Sequence, residues 1–565
     1  MIPHSTSSYG SLYVRGKVFA LISLLLVLVT LLAACGGPSN PSTSRYGGTL
    51  TMVPGPTGDY TRNFNVFATG SVLNGAQGLV YETLLFFNRE DGSVKPWLAS
   101  SYQFSSDATS ITFNLRPGVQ WSDGKPFTSA DVVFTLKMIH DHPAVDYSGL
   151  WNVITSVSAP DNHTVIVKLK QPSVPILWYL GGQTYILPQH LWSSVSNPVT
   201  YTNPDPVGTG PYVLKSFTPQ LYVFDRNPHF WQPGKPYINE IRYPSFNSNT
   251  SADLLLSQGS VDWTGLFTPD VNKTFANRDP AHNHYWFPPN NVVTLYPNTA
   301  KYPFNVLAVR QAISLAIDRN KLYRIGENGY EPPSHPTALV LPANQGTLSP
   351  DYANASFTMD TARAASLLER AGFKKGSDGI YVDRNGKRLA FNLNVVSGWT
   401  DWVTDCQIMA SNLQAAGMDV KVNAISYNSY YSALQMGSFD TAISWTTTGP
   451  TPYYLYNSML GTTNTAPIGQ QATSNWERWS DPATDRFLQQ YASSLGSAEQ
   501  QQALAGIQKI MVEQLPTIPL IYGATWYEYS TARFVGWPDQ QHPYAVPAPY
   551  AAPDEEIVVL NLHQV

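Results

Sequence analysis

The fold is decided by the segment LAFNLNVVSGWTDWVTDCQIMASNLQAAGMDVKVNA, Leu389 to Ala424. Its two ends alternate apolar and polar residues, whereas its middle repeats apolar residues at three- and four-residue spacing. We therefore predict a strand at 389–396, a helix from about 401 to 416 that stops at Gly417, and a second strand at 419–424. Such βαβ units build a mostly parallel sheet with a right-handed crossover, which places this region in the α/β class.

The N-terminal half of the chain has a different sequence pattern. From about residue 47 to residue 298, short segments rich in β-branched and aromatic residues alternate with turn residues, and we predict strands at 48–53, 110–115 and 164–169. A helix is predicted to begin at Thr128, where Thr-Ser-Ala-Asp forms a capping-box pattern ahead of an apolar stripe. This half should therefore consist mainly of β-sheet.

Helical periodicity dominates after residue 302. Apolar residues recur at three- and four-residue spacing through NVLAVRQAISLAIDRNKL, residues 305–322, which predicts an amphipathic helix. A further helix is predicted from about 359 to 371, and Gly372 is the residue type that ends a helix at low cost.

The C-terminal region is predicted to contain one last helix and a constrained strand. The helix starts at Ser497, with Gln500 in position to complete a capping box. It leads into LPTIPLI, residues 515–521, where two prolines restrict the strand to the edge of a sheet or to a crossing segment. Glu555 and Glu556, near the end of the chain, are interpreted as a solvated pair.

Length and composition limit the classes of function. A chain of 565 residues holds about three to five domain-sized units. With 34 Lys plus Arg against 39 Asp plus Glu, the chain carries no basic excess of the kind that binds nucleic acid, and its 43% hydrophobic content argues against disorder. The 15 Trp and 33 Tyr residues exceed what a core needs and would suit a site that holds a flat or extended ligand.

The first 34 residues have the layout of a signal peptide. Arg15 and Lys17 precede the apolar run VFALISLLLVLVTLLAA. The run ends at Cys35, and Leu-Ala-Ala-Cys-Gly resembles the bacterial lipobox, whose cysteine is lipidated and becomes the first residue after cleavage. We expect residues 1–34 to be removed and residues 35–46 to form a lipidated, flexible tether. A retained signal anchor is the alternative, because this run lies at the lower length limit for a membrane-spanning helix.

No motif in the sequence indicates an enzyme. GxSxG, HExxH and Walker-type loops are absent from the sequence. Cys406 has apolar neighbours at helical spacing and is predicted to be a core thiol. The pairs His140 with His142 and His282 with His284 lack a third ligand at a suitable spacing for a metal. We predict no cofactor and no metal site.

The segment Phe113 to Thr135, FNLRPGVQWSDGKPFTSADVVFT, closely resembles the signature of the bacterial dipeptide- and oligopeptide-binding proteins, the extracellular solute-binding protein family 5. Further blocks follow in the order found in that family. They are YETLLFFN with PWLASSY, VGTGPYVL, NPHFW with PYINEIRY, VRQAISLAIDRNKL, AGF with GKRL, FDTAISW, and EQLPTIPLIY. The resemblance spans nearly all of the chain after the leader.

The resemblance implies a two-lobed periplasmic-binding-protein type II fold, the Venus flytrap, with an extra N-terminal subdomain. Carried onto this chain, lobe I comprises residues 47–297 plus 517–565, and the extra subdomain lies near 82–204. Lobe II comprises residues 298–516. Two crossing strands would form the hinge about which the lobes close.

The same resemblance implies a role in uptake. Such proteins are extracytoplasmic receptors that pass a solute to the permease and ATPase subunits of an ABC importer. Two or more acyl chains on Cys35 would anchor this chain stably to the outer face of the cytoplasmic membrane. We expect a monomer with no nucleic-acid partner.

The sequence leaves the ligand class open. The candidate ligand-binding residues are Trp445, Thr446, Thr448, Tyr427, Asn298 and Tyr453. Peptide-binding members resembling this chain have an aspartate three residues after the tryptophan that matches Trp445, where it pairs with the α-ammonium of a peptide. This chain has Thr448 at that position. A buried ammonium without a carboxylate is costly, so free peptide termini are not assured as the target.

Three functions remain as alternatives. Oligopeptide uptake comes first because most relatives perform it. Uptake of an oligosaccharide or another neutral solute is the second, because Trp445, Tyr427 and TPYYLYNSM could stack on sugar rings while threonine and asparagine supply neutral hydrogen bonds. A surface-tethered sensor or folding helper is the third. For each aromatic candidate a core position is the competing interpretation, and Asn298 could merely satisfy a crossing strand.

Replacing Cys35 with Ala tests the lipoprotein interpretation. The variant cannot be acylated, so we expect the protein to leave the membrane fraction, as measured by immunoblot of fractionated cells. A serine-to-alanine change in the tether, Ser39→Ala, is the matched control and should remain with the membranes. Retention of the Cys35→Ala variant in the membrane fraction would contradict the assignment.

Overall fold

Three sheets of four or more strands organise residues 45–68 and 71–565, the part of the chain described by the computed structural model. The predicted leader, Cys35 and the tether up to residue 44 lie outside the described residues. Residues 46–565 form one compact unit. Within the described residues, no helix has both the length and the apolar character needed to cross a bilayer.

The seven-stranded sheet is built from the N-terminal half of the chain and one C-terminal strand. Its strands, in spatial order, are Asn283–Tyr285, Glu528–Ser530, Trp263–Thr264, Thr49–Val53, Glu240–Pro244, Leu221–Arg226 and Tyr212–Thr218. Thr49–Val53 pairs in parallel with both of its neighbours, and the remaining pairs are antiparallel. Leu50 and Met52, two residues apart on this strand, are fully buried.

The five-stranded sheet contains the predicted βαβ unit. Its strands, in spatial order, are Asp419–Ile425, Ala390–Val396, Thr441–Trp445, Pro289–Pro297 and Ile518–Ala524. Ala390–Val396 is parallel to Asp419–Ile425, and the helix Thr400–Ala415 connects them, which confirms the prediction. Cys406 is fully buried on that helix, so the core-thiol prediction is confirmed as well. The strand Ile518–Ala524, which contains Pro519 and follows Pro516, lies at the edge of the sheet, as predicted.

A four-stranded antiparallel sheet accounts for the remaining long strands. Its strands, in spatial order, are Ala99–Phe104, Ser110–Leu115, Thr164–Leu169 and Ile154–Asp161. The two predicted strands among them have the predicted bounds. Strand pairs of two or three residues occur at Leu85–Phe87 with Val94–Pro96, Lys374–Lys375 with Tyr381–Val382, and Phe534–Val535 with His563–Gln564.

Helices cover the faces and ends of these sheets. Those of eight or more residues are Ser129–Asp141, Asn249–Ser257, Leu307–Ala316, Thr361–Arg370, Thr400–Ala415, Tyr427–Met436, Pro452–Leu460, Pro482–Ser493, Ser497–Gln514 and Asp554–Asn561. The capping box predicted at Thr128 is present, because Asp131 accepts a hydrogen bond from the Thr128 backbone and Thr128 caps the helix with its side chain.

The C-terminal region differs from the prediction in two respects. The helix at Ser497 begins where expected, but Gly496 is its N-cap and no side chain caps it. The predicted capping box is wrong because Gln500 instead donates to the backbone carbonyl of Ser494, with a distance of 2.8 Å. The interpretation of Glu555 and Glu556 as a solvated pair is also wrong. Both are 1% exposed in a further helix, where burial raises the pKa of Glu555 to about 8.

The chain passes twice between the seven-stranded and the five-stranded sheet. The passages, residues 286–288 and 525–527, lie side by side. The backbone amide of Trp286 donates to the carbonyl of Tyr527 at 3.0 Å, and that of Thr525 donates to Pro288 at 2.8 Å. The sheets therefore divide near residues 288 and 525, close to the lobe bounds predicted at 297 and 517. The lobe assignment itself stays a prediction.

The segment VGTGPYV, residues 207–213, contains two glycines that allow a close backbone approach. A Cβ atom on Gly208 would lie 1.8 Å from the carbonyl oxygen of Val80, and one on Gly210 would lie 2.5 Å from that of Leu79. The amide of Gly210 also donates to Val80 at 2.9 Å. These contacts hold the segment against the backbone of Leu79 and Val80, directly before it enters the strand Tyr212–Thr218 of the seven-stranded sheet.

Gly208→Ala should therefore destabilise the protein. The added methyl group overlaps backbone that cannot move independently, and overpacking of this kind costs about 1–3 kcal/mol. The free energy of unfolding from urea titration measures the loss. Gly346→Ala is the matched control, because a Cβ atom there meets no atom within 4 Å. Equal stability of the two variants would contradict the close approach.

Candidate ligand-binding cleft

A cleft with a volume of about 560 Å³ lies between the seven-stranded and the five-stranded sheet. Its walls come from segments that follow the carboxyl ends of parallel strands. Pro54 follows the strand Thr49–Val53, and Gly265 follows Trp263–Thr264. On the other side, Trp399 and Tyr427 follow the two strands of the βαβ unit. The carboxyl ends of parallel strands are the usual position for ligand sites in α/β folds.

Aromatic rings form the wall on the side of the five-stranded sheet. The ring centroids of Trp399 and Trp402 lie 5.6 Å and 5.8 Å from that of Trp445, and Tyr427 lies 5.9 Å from Trp399. Trp445 is 37% exposed, whereas Trp402 is 7% exposed. The ring of Trp445 therefore faces the cleft, and the ring of Trp402, which packs against it, is buried. An exposed ring held by packed neighbours offers contact area at low entropic cost.

The opposite wall also carries aromatic side chains. Trp526, in the second passage between the sheets, has its ring centroid 5.5 Å from that of Phe267. The backbone amide of Trp526 donates to the hydroxyl of Tyr550 at 3.2 Å, which brings the C-terminal tail to the cleft. A ligand between the walls would therefore contact rings from both sides.

Carboxyl groups form a third part of the cleft. Glu331 and Asp401 line it, and each is at most 5% exposed. Glu327 and Asp405 lie behind them and are fully buried. Burial raises the pKa of Asp401 to about 6 and that of Asp405 to about 8. Burial and the neighbouring carboxyls raise the pKa of Glu327 and Glu331 well above their usual range.

Basic side chains do not balance these carboxyls. None of the described residues that line the cleft is Lys, Arg or His. Asp59 is a third acidic residue on its wall. The net charge of the side chains that line the cleft is therefore negative when these carboxyls are ionised and zero when they are protonated. Within residues 45–68 and 71–565, no group of three or more His, Cys, Asp or Glu is arranged to hold a metal ion.

The structure brings two of the predicted ligand-binding residues to the cleft. Trp445 and Tyr427 line it. Thr446 is 1% exposed, and its hydroxyl accepts from the amide of Val292 at 3.1 Å, which ties two strands together. Thr448 accepts from Arg89 at 3.2 Å, away from the cleft wall.

The other two predicted residues also lie outside the cleft lining. Asn298 is fully buried and donates to the carbonyls of Gly437 and Phe439, the structural role that had been the alternative. Tyr453 is 7% exposed and stacks on Tyr491 with a centroid distance of 4.9 Å. Both side chains are engaged by the protein itself.

Several residues of the cleft were missed in the sequence. Trp399, Asp401 and Trp402 belong to GWTDWV, directly after the first strand of the predicted βαβ unit. Their position at the carboxyl end of a parallel strand was a usable signal. Glu331 and Trp526 lie in irregular segments, and no periodicity distinguishes them.

Stability should depend on pH through the buried carboxyls. The folded state holds protons on groups such as Asp405 that the unfolded chain would release, so the free energy of unfolding falls as the pH rises from about 4 to about 8. Asp405→Asn removes one such group. We expect its melting temperature to exceed that of the parent at pH 8, with a smaller difference at pH 5.

The exposed Asp351 supplies the control for this measurement. Asp351→Asn makes the same chemical change at the surface and should shift the melting temperature little at either pH. If Asp405→Asn gains no stability between pH 5 and pH 8 relative to the parent, Asp405 is not held protonated by burial.

Comparison with known proteins identifies the fold and the family. The nickel-binding periplasmic protein of Escherichia coli (strain K12) is 30% identical over 380 residues, covering 64% of this chain and 69% of that protein. The oligopeptide-binding protein AppA of Bacillus subtilis (strain 168) is 24% identical over 479 residues, covering 79% and 83%.

A solved structure shows the same architecture. The periplasmic oligopeptide-binding protein of an oligopeptide ABC transporter from Thermotoga maritima, crystallised with mannohexaose, has a TM-score of 0.85 and 25% identity, covering 91% of this chain and 98% of that one. This similarity confirms the predicted periplasmic-binding-protein type II fold. The model of the bacterial extracellular solute-binding proteins, family 5 Middle, matches residues 93–467. The chain therefore belongs to family 5 of the bacterial extracellular solute-binding proteins.

Proposed function

We propose that this protein captures short oligopeptides in the cleft between its two large sheets and delivers them to the membrane permease of an ABC importer. Members of the family are substrate-binding transport proteins outside the cytoplasm and not enzymes. A lipid on Cys35 would hold the chain at the outer face of the membrane. The observation that carries the proposal is the 560 Å³ cleft, which has aromatic walls on both sides of the passages between the sheets.

The passages provide a way to close the cleft. Because the chain joins the two sheets only at residues 286–288 and 525–527 within its described part, rotation about these short segments would move the walls relative to each other. A ligand that contacts both walls stabilises the closed arrangement by its additional contacts there. The importer can then recognise closure instead of the ligand. Within this proposal the predicted lobe I, residues 47–297 plus 517–565, and lobe II, residues 298–516, are the two sides that move. The strands Pro289–Pro297 and Ile518–Ala524, which lie at the boundary between them, would move with the five-stranded sheet.

The polar groups of the cleft favour a peptide. Asn291 Oδ1 and Glu331 Oε2 have no hydrogen-bond partner among the described residues. The first is an acceptor, and the second is one when Glu331 is ionised. A peptide supplies amide and ammonium donors for such acceptors. AppA, a relative over most of the chain, is named as an oligopeptide-binding protein. A pocket of this volume is within the range that encloses a small ligand.

Oligosaccharide binding is the second candidate, and one observation supports it. Trp445 is partly exposed on the wall, and its ring is held by Trp399 and Trp402. Such a platform suits a sugar ring, and the similar protein from Thermotoga maritima was crystallised with mannohexaose. The tightly buried acceptors at Glu331 and Asn291 are better matched by peptide donors, so this function ranks second.

Thermal denaturation of residues 36–565 tests the proposed function. A pool of tri- to pentapeptides should raise the melting temperature, because a ligand that binds only the folded protein stabilises it by mass action. Trp445→Ala should reduce the shift by removing a wall of the cleft. The matched control is Trp479→Ala, a half-buried tryptophan that packs on Arg310 outside the lining of the cleft.

Sugars decide between the two candidates. The peptide assignment is wrong if the pool leaves the melting temperature unchanged while mannohexaose or a cello-oligosaccharide raises it. A shift with peptides that survives Trp445→Ala unchanged would place the binding site away from this cleft.

A further inference from the structure

Glu331 has an unusual position in the cleft wall. Its side chain is 2% exposed, yet the residue borders the open volume between the sheets. One carboxyl oxygen, Oε1, accepts from the backbone amide of Ala524 at 2.5 Å, beside the second passage between the sheets. The other oxygen, Oε2, has no hydrogen-bond partner among the described residues. The structure thus leaves half of this buried carboxyl unsatisfied.

Asp401 lies in the same cleft and adds a second acidic group. It is 5% exposed, and its Oδ1 accepts from the side-chain amide of Asn249 at 3.3 Å. Asp405 and Glu327 lie behind, and no ion pair joins any of these four carboxyls to a described residue. Uncompensated buried carboxyls are costly, because both desolvation and mutual repulsion disfavour their charge.

The unsatisfied atoms of the lining share one chemical property. Glu331 Oε2 and Asn291 Oδ1 are the described side-chain atoms of the lining that are buried without a partner. The amide oxygen is an acceptor, and the carboxyl oxygen is one once Glu331 is ionised. Their complement is a group rich in N–H donors. A positive charge on that group would also offset the acidic cluster, and no described lining residue supplies one.

We propose that Glu331 and Asp401 form a subsite for a cationic group of the ligand, an ammonium or a guanidinium. This inference rests on the proposed solute-binding function and specifies the chemistry of the cargo. The cation would donate to Glu331 Oε2, take part of its compensation from Asp401, and be enclosed by the aromatic walls, which also attract cations. Burial of such a pair is favourable only when its hydrogen bonds are made, which gives the subsite its selectivity.

Neutral ligands would gain less at this position. A hydroxyl can hydrogen-bond to a protonated carboxyl, but it does not stabilise the ionised form, so it gains no charge-assisted hydrogen bond. Removing the charge of the ligand should therefore weaken binding while its shape is kept. The carboxamide variants Glu331→Gln and Asp401→Asn should remove this discrimination, because they keep the size of the side chains and lose their charge.

Calorimetric titration of the ligand-free chain, residues 36–565, tests the subsite. The probes are trialanine, N-acetyl-trialanine, trilysine, spermidine and mannohexaose. Trialanine carries an α-ammonium, trilysine adds side-chain ammonium groups, and spermidine carries ammonium groups without a peptide. We expect at least one probe with an ammonium to bind at least tenfold more tightly than N-acetyl-trialanine and mannohexaose. The member that binds most tightly identifies the source of the cation.

The variants separate selectivity from folding. Glu331→Gln should bring the affinities for the cationic and the acetylated probes to within about threefold, and Asp401→Asn should reduce the discrimination less. Glu369→Gln, which makes the same change on an exposed helix position, should retain it fully. Melting temperatures of all variants are recorded without ligand, and Glu331→Asp serves as a second, charge-retaining variant if the carboxamide impairs folding.

The outcomes distinguish this inference from the function on which it rests. Equal affinity of charged and neutral probes, or discrimination that survives Glu331→Gln and Asp401→Asn together, overturns the cationic subsite while uptake of a solute stands. Failure of every probe to bind overturns the proposed function and the subsite with it.

Discussion

Two short, mutually hydrogen-bonded passages govern the behaviour of this molecule. Residues 286–288 and 525–527 join the two large sheets, and the amides of Trp286 and Thr525 bond across to the opposite passage. These hydrogen bonds hold the two crossings together, and because each crossing is short, few backbone torsions would absorb the rotation proposed for closure. The cleft, its aromatic walls and the acidic cluster all lie around these passages, so each of them depends on the geometry of the passages.

The cleft combines features that favour binding over stability. Trp445 is left partly exposed, and Glu331 is buried without a full set of hydrogen bonds next to other carboxyls. The exposed ring and the unsatisfied carboxyl each destabilise the ligand-free protein. A ligand that covers the ring and hydrogen-bonds to the carboxyl can recover this free energy. Glu331 also holds the amide of Ala524, directly before the second passage. A charged group bound at Glu331 would therefore act on the wall of the cleft and on its hinge together.

Much of the fold was predictable because local patterns agree with the tertiary structure. The βαβ unit, the strands 110–115 and 164–169 and the capped helix after Thr128 follow from periodicity and capping chemistry. The buried carboxyls at Glu555 and Glu556 were not predictable, because charged residues are buried only through contacts distant in sequence. Trp97, whose indole donates to Glu556 at 3.3 Å, is 459 residues away.

The candidate site was predicted only in part for the same reason. Trp445 reaches the cleft, but the next residue, Thr446, is buried on the other side, since successive side chains along a strand alternate. Proximity in sequence to Trp445 was therefore a poor guide for Thr446, Thr448 and Tyr453. Glu331 enters the wall through the pairing of its irregular segment with the edge strand Ile518–Ala524, which no local pattern encodes.

Distance measurement across the cleft tests the central claim, which is that the two sides close around a ligand. Thr218 and Ser432 are exposed on opposite sides of the cleft, and Cys406 is fully buried. In the chain of residues 36–565, cysteines introduced at Thr218 and Ser432 can therefore carry spin labels selectively. The distance distribution between the labels should shift and narrow when the tri- to pentapeptide pool is added. A single distribution that stays the same with peptides, spermidine and mannohexaose alike would contradict the account.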